Sequence, residues 1–139
     1  MRIEAVLFDL GGTLEDVRYD ASSRLEASRV LKRFLSGEGI RLDVEPEAIL
    51  AAIERGCAGY RAWSERTMRE APAAQVWGEW YLREFGIPRP EIDRVAEGLA
   101  MIWETRFHTR ELRPDARSTL EALKTRGYRL GVISNTSRR

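Results

Sequence analysis

Two short apolar runs, each ending in a polar group, constrain this chain more than any other feature. Near the start, Val6-Leu7-Phe8 runs into Asp9 within the stretch "FDLGGTL". Near the end, Leu130-Gly131-Val132-Ile133 runs into Ser134 and Asn135. Such runs, bounded by turn residues, read as strands of the kind buried on both faces of a parallel sheet. The first is expected over residues 3–9. Joining two parallel strands directly takes only about a dozen residues of crossover. Far more chain than that lies between these two, so the intervening segment is expected to form a subdomain of its own.

That segment reads as helical. Leu25, Val30, Leu31, Phe34 and Leu35 recur at steps of three and four, until Gly37 or Gly39 stops the helix. Pro46 suits the first turn of a second helix, with Ile49, Leu50, Ile53, Cys57 and Tyr60 on one side. A third is expected from near Pro72, carrying Val76, Trp77, Trp80, Tyr81 and Phe85. Pro90 opens a fourth, with Ile92, Val95, Leu99, Ile102 and Trp103 on one stripe. All four tryptophans lie in this helical segment and read as core. The last unit, "LRPDARSTLEALKTRGYRLGVISN", opens a helix at Pro114 and Asp115 and turns Leu120 and Leu123 inward. Gly127 closes that helix before the second strand.

Composition removes several classes of function. Charged residues make up 32% of the 139, yet the net charge is only +1, which argues against a nucleic-acid clamp or a polybasic membrane anchor. One cysteine, Cys57, and one histidine, His108, cannot build a disulfide framework or a Cys/His zinc site within one chain. No apolar stretch approaches the roughly 18 residues of a membrane span. Residues 1–5 carry an acid early and no long apolar core of a secretory signal. A cytoplasmic protein is the expectation.

In open α/β sheets, ligands sit beyond the carboxyl ends of the strands, which is where Asp9, Ser134 and Asn135 fall. Gly11 and Gly12 let the backbone curl so that N–H groups face an anion. Ser134 can donate a hydroxyl to a phosphate oxygen. Asp9 can accept a phosphoryl group as a carboxylate nucleophile. A cation must then offset the charge, so Mg²⁺ is implied. Taken alone, an Asp before Gly-Gly is as readily a plain turn; the two strand ends together carry the reading.

With "AVLFDLGGTL", the terminal "LRPDARSTLEALKTRGYRLGVISN" and a helical segment between them, the chain resembles the first part of a haloacid dehalogenase superfamily hydrolase with a helical cap. The resemblance implies a partial Rossmann-like parallel sheet, the first two core strands, from residues 1–14 and 111–139. It makes residues 15–110 an all-helical cap inserted after the first strand. It also implies that the two strands are parallel neighbours. Asp9 becomes the phosphoryl-accepting nucleophile. Leu10, Gly11, Ser134 and Asn135 bind the phosphate, and Asp9 with the Gly11 backbone carbonyl binds Mg²⁺. The substrate implied is a small phosphorylated metabolite.

Two departures from the family pattern stand out. A second Asp two residues after the nucleophile usually works as general acid–base, and Gly11 stands there instead. Loss of a positioned acid–base typically costs roughly 10²–10⁴-fold in rate. Glu15 and Asp16 are nearby candidates to replace it, but read as solvated loop acids. The pattern also continues past the second strand with a lysine and an acidic pair, which these 139 residues do not contain. They are expected to be part of a longer protein and to turn over little alone. His108 and Arg110, at the return from cap to core, read as an ordinary solvated hinge within reach of a substrate on closure.

Three other readings remain. A non-catalytic family member would bind a phosphate ligand or a protein. A 2-haloacid dehalogenase also does without the second Asp. "DLGGT" further resembles the first phosphate loop of actin-like sugar kinases, which requires a strand directly after Thr13, hairpinned onto the first. Only Val17 and Tyr19 support such a strand, with Asp16, Arg18 and Asp20 interrupting it.

Overall fold

Apolar stripes at helical spacing need a partner surface, and in the middle of the chain they supply it to one another. The computed structural model describes residues 3–134. They fall into two compact units, one of residues 20–108 and one of residues 3–19 with 109–134.

The first of these units is helical. Helix α1 (Ala21–Gly37) begins at Asp20, whose carboxylate accepts the Ser23 N–H at 2.7 Å and the Ser22 hydroxyl at 2.6 Å. This is the side-chain cap that free N–H groups at a helix start require. At the other end Gly39 adopts a left-handed φ of 84°, and the Ile40 N–H reaches back to the Leu35 carbonyl. Helix α2 (Pro46–Thr67) carries Pro46 in its first turn, and α4 (Arg89–Arg106) likewise carries Pro90. Leu31, Leu35, Ile49, Ile53, Val76 and Leu99 are wholly buried together, as expected. Trp77 and Trp103 are buried with them, and Trp63 and Trp80 pack half-buried against that core.

The expected third helix is shorter than its stripe suggested. Helix α3 (Ala73–Val76) lasts one turn, then widens into a π-helical turn over Trp77–Tyr81 and ends in a 3₁₀ turn over Arg83–Phe85. The wide turn packs on α2 where α2 has no side chain. A Cβ built on Gly56 would lie 2.4 Å from the Trp80 carbonyl oxygen and 2.8 Å from the Tyr81 Cα. Both obstacles are backbone, so neither can swing away. Gly56→Ala is therefore expected to cost about 1–3 kcal/mol by overpacking, read as a lower denaturant midpoint at unchanged slope.

Asp20 supplies a pH-dependent part of the stability. The Ser22 hydroxyl, then the Ser23 N–H, hold its carboxyl below the usual aspartate value. A lowered folded-state pKa stabilises the fold above the ordinary value, and the contribution disappears as pH falls through the lowered one. Asp20→Ala is thus expected to melt below wild type at neutral pH, with the gap closing in acid. Asp20→Asn, which can still cap, is expected to lack that pH dependence.

The other unit has a thin core. Strand β1 (Ala5–Phe8) runs parallel to β4 (Arg129–Val132), pairing Ala5 with Arg129 and Phe8 with Val132. The parallel pairing is as expected; the burial is not. Leu7 is 61% exposed, Val132 55% and Ile133 63%. Two strands with one helix, α5 (Ala116–Thr125), cannot cover both faces of a sheet. Leu120 and Leu123 are accordingly half-buried. Leu14 and Ala116 are the buried apolar side chains among this unit's described residues.

The second correction concerns the residues just after the glycine loop. Helix was expected there, but a strand, β2 (Glu15–Arg18), comes first and pairs antiparallel with β3 (Thr109–Leu112). Its register sets Val17 opposite Arg110 and Asp16 opposite Glu111. Ion pairs tie the ribbon together: Arg110 to Glu15 at 2.8 Å, Arg113 to Asp16 at 3.1 Å and Arg18 to Glu111 at 3.3 Å. Opposite charges across strands stabilise such pairs. The kinase reading required a strand at this place, but one folded back on β1, and β2 pairs with β3 instead.

Candidate functional site

Because β1 and β4 are parallel and in register, their carboxyl ends lie at one edge of the sheet. The Ile133 N–H donates to the Phe8 carbonyl at 2.9 Å; Asp9 lies one residue and Ser134 two residues beyond the last register pair, Phe8 with Val132. Both line a cavity of about 330 Å³ within this unit, together with Leu10 and Gly11. The cavity brings together four of the expected site residues; Asn135 lies outside the described residues.

The glycine loop closes on itself tightly. The Leu10 carbonyl accepts N–H groups from Thr13, Leu14 and Glu15, at 3.3, 2.9 and 3.1 Å. The Gly12 N–H donates to the Glu15 carbonyl at 2.8 Å, and Gly12 takes a left-handed φ of 78°, which suits glycine. Gly11 sits between these bonds, and its own N–H and carbonyl take part in none of them. The Leu10 N–H is directed differently from the expectation that it binds phosphate. It donates to Asp9 Oδ1 at 2.8 Å, holding the carboxylate at the cavity.

The rest of the lining comes from the ribbon. Glu15, Val17 and Tyr19 line the cavity, and Asp16 and Arg18 do not. That is the period of a strand, whose alternate side chains share a face. Arg110, directly opposite Val17, lies on the same face, lines the cavity and donates to Glu15 Oε1. Glu15 was expected to be a solvated acid, yet its side chain is only 16% exposed. Asp16 lies on the opposite face, bonded to Arg113. His108, expected in a solvated hinge, is buried in the helical unit, edge-on to Phe107. The cavity is thus lined by two carboxylate side chains, one guanidinium, the Ser134 hydroxyl, the Tyr19 phenol and the backbone of the glycine loop.

The carboxylate, hydroxyl and carbonyl oxygens among them are hard donors. Among the described residues no three His, Cys, Asp or Glu side chains gather closely enough to hold a metal ion. Of the two carboxylates, Glu15 is paired with Arg110; Asp9, with backbone and hydroxyl oxygens, suits Mg²⁺, which keeps several waters and takes one or two carboxylates plus phosphate oxygens. The residues present therefore fit an ion shared with a bound phosphate. No described helix is long and apolar enough to cross a membrane.

Comparison with known proteins agrees with the motifs. The search of curated proteins gave no match. Among solved structures, a predicted phosphoglycolate phosphatase from Haemophilus somnus 129pt is 20% identical, with a TM-score of 0.45. A protein from Clostridium difficile, provisionally assigned as a phosphatase, is 18% identical at 0.43, and a dehalogenase is 20% identical at 0.37. The alignments cover 97%, 96% and 97% of this chain but 52%, 50% and 52% of the others, so it spans about half the length of these structures. The family model of the haloacid dehalogenase-like hydrolases matches residues 3–139, nearly the whole sequence. With a match of that extent, the chain belongs to the haloacid dehalogenase-like hydrolases.

Proposed function

We propose that the protein carrying this chain is a cytoplasmic, Mg²⁺-dependent phosphatase of a small phosphorylated metabolite, with Asp9 as phosphoryl acceptor. The observation that carries the reading is the shared cavity of Asp9 and Ser134 at the adjacent ends of parallel strands. In this reading the unit of β1, β4 and α5 is the catalytic core and the helical unit is its cap. Asp9 attacks phosphorus, the phosphate–ester bond breaks, and an aspartyl-phosphate forms that water then hydrolyses. The Ser134 hydroxyl and the Gly11 N–H hold phosphate oxygens, and Asn135 is a further phosphate-binding candidate. The Leu10 N–H steadies the nucleophile through its bond to Oδ1. Asp9 and the Gly11 carbonyl would hold Mg²⁺, which when bound supplies positive charge against the phosphoryl oxygens.

The experiment is a screen of phosphate esters against the protein as its gene encodes it, with and without Mg²⁺, for wild type and Asp9→Asn. Turnover that needs both Mg²⁺ and Asp9 is the expected result. Phosphate binding with no turnover of any ester would instead make this a non-catalytic member of the family.

A further inference from the structure

Gly11 leaves the proposed reaction without an acid–base at the place where the family pattern puts one. We infer that Glu15, positioned by Arg110, takes the base half of that role. The inference rests on the phosphatase reading, and three observations support it. Glu15 lines the cavity that holds Asp9, on the same strand face as Val17 and Tyr19. Its side chain is only 16% exposed, so it is set into the wall of the cavity. It is also held: Arg110, cross-strand from Val17, donates to Oε1 at 2.8 Å. One oxygen is thereby fixed, and the carboxylate keeps lone pairs to accept a proton from water. Asp16, the other acid in reach along the sequence, lies on the opposite face with Arg113 and cannot do this.

The step balances without a further reactant. Water oxygen attacks the phosphorus of phosphorylated Asp9 while Glu15 takes the water proton. The bond between phosphorus and the Asp9 oxygen breaks, and its electron pair restores the Asp9 carboxylate. Inorganic phosphate leaves, and Glu15 returns its proton to solvent. In the earlier half, Gly11 offers no proton where the family's acid–base would stand, so groups that depart as stable anions are favoured. The structure thereby assigns a substrate class: phosphoanhydrides, acyl phosphates or phosphates of acidic hydroxyls, in preference to simple alkyl phosphates.

Rapid mixing of 4-nitrophenyl phosphate and Mg²⁺ with Glu15→Gln tests this. The expected result is a burst near one nitrophenolate per protein, then a steady rate lowered roughly 10²–10⁴-fold. Label from ³²P-phosphate ester should remain on Asp9 after quenching. The burst itself reports that the variant is folded. A steady rate equal to wild type, or a slow rate with no burst, would overturn the role of Glu15. A burst surviving in Asp9→Asn would instead overturn the phosphatase reading, so the two failures are distinguishable. Arg110→Lys, which keeps a cation beside Glu15, should retain more of the steady rate than Arg110→Gln, with KM similar in both. Equal losses in kcat, or a loss confined to KM, count against Arg110 as a positioning residue.

Discussion

Asp9→Asn is expected to remove turnover of any phosphate ester, by about 10⁴-fold or more, as loss of a covalent nucleophile does. The substitution is suited to the question because it changes little else. Asparagine has the same shape, and its Oδ1 can still accept the Leu10 N–H that now reaches Asp9 Oδ1 at 2.8 Å. The loop also stays closed, because its bonds run between Leu10, Gly12, Thr13, Leu14 and Glu15 through backbone atoms alone. An amide, however, is a far poorer nucleophile than a carboxylate and a weaker ligand for a hard cation. The measurement is steady-state phosphate release alongside a melting curve. A melting temperature near wild type with no release is the expected pair. Retained release would remove Asp9 from the chemistry.

The largest effect on stability is expected at Trp77. This side chain is fully buried at the start of the π-helical turn, edge-on to Tyr81 at 5.1 Å between ring centres. Trp77→Ala should cost about 3–5 kcal/mol through lost burial and the cavity left behind. That is a large share of the roughly 5–15 kcal/mol that holds a typical domain folded. Trp77→Phe should cost much less than a count of lost atoms suggests. The Trp77 Nε1 is buried with no hydrogen-bond partner among the described residues, and phenylalanine removes that unsatisfied donor. Chemical denaturation of the two variants checks both. A phenylalanine variant as damaged as the alanine one would mean that ring shape, not the polar atom, decides the site.

The helices were legible in the sequence because each carries its own signals. A stripe at spacing three and four, a proline at Pro46 or Pro90 and a glycine at Gly39 or Gly127 act within a few residues of chain. The two parallel strands were legible for the same reason, as apolar runs stopped by polar residues. Their exposure was misjudged because burial depends on how many layers cover a sheet, which the strand residues do not encode. The ribbon was missed outright. Glu15-Asp16-Val17-Arg18 has no apolar alternation, and the charges that complement it lie on Thr109–Leu112 and on Arg113, far along the chain. The one available sign is the alternation of Val17 and Tyr19. The charges of Asp16, Arg18 and Asp20 between and beside them mask it.

The sequence by itself determined the family, the helical character of the middle segment and the nucleophile candidate, since motif and periodicity are local properties of the chain. Only the tertiary structure decided what surrounds Asp9. Register between β1 and β4 sets Asp9 level with Ile133, so that Ser134 follows at the same sheet edge, and register between β2 and β3 puts Glu15 and Arg110 on the face that lines its cavity. A one-residue shift of β2 would have exchanged Glu15 for Asp16 at the cavity wall, because alternate residues of a strand face opposite ways. That choice depends on bonds between residues roughly a hundred apart, which no local reading of the chain contains.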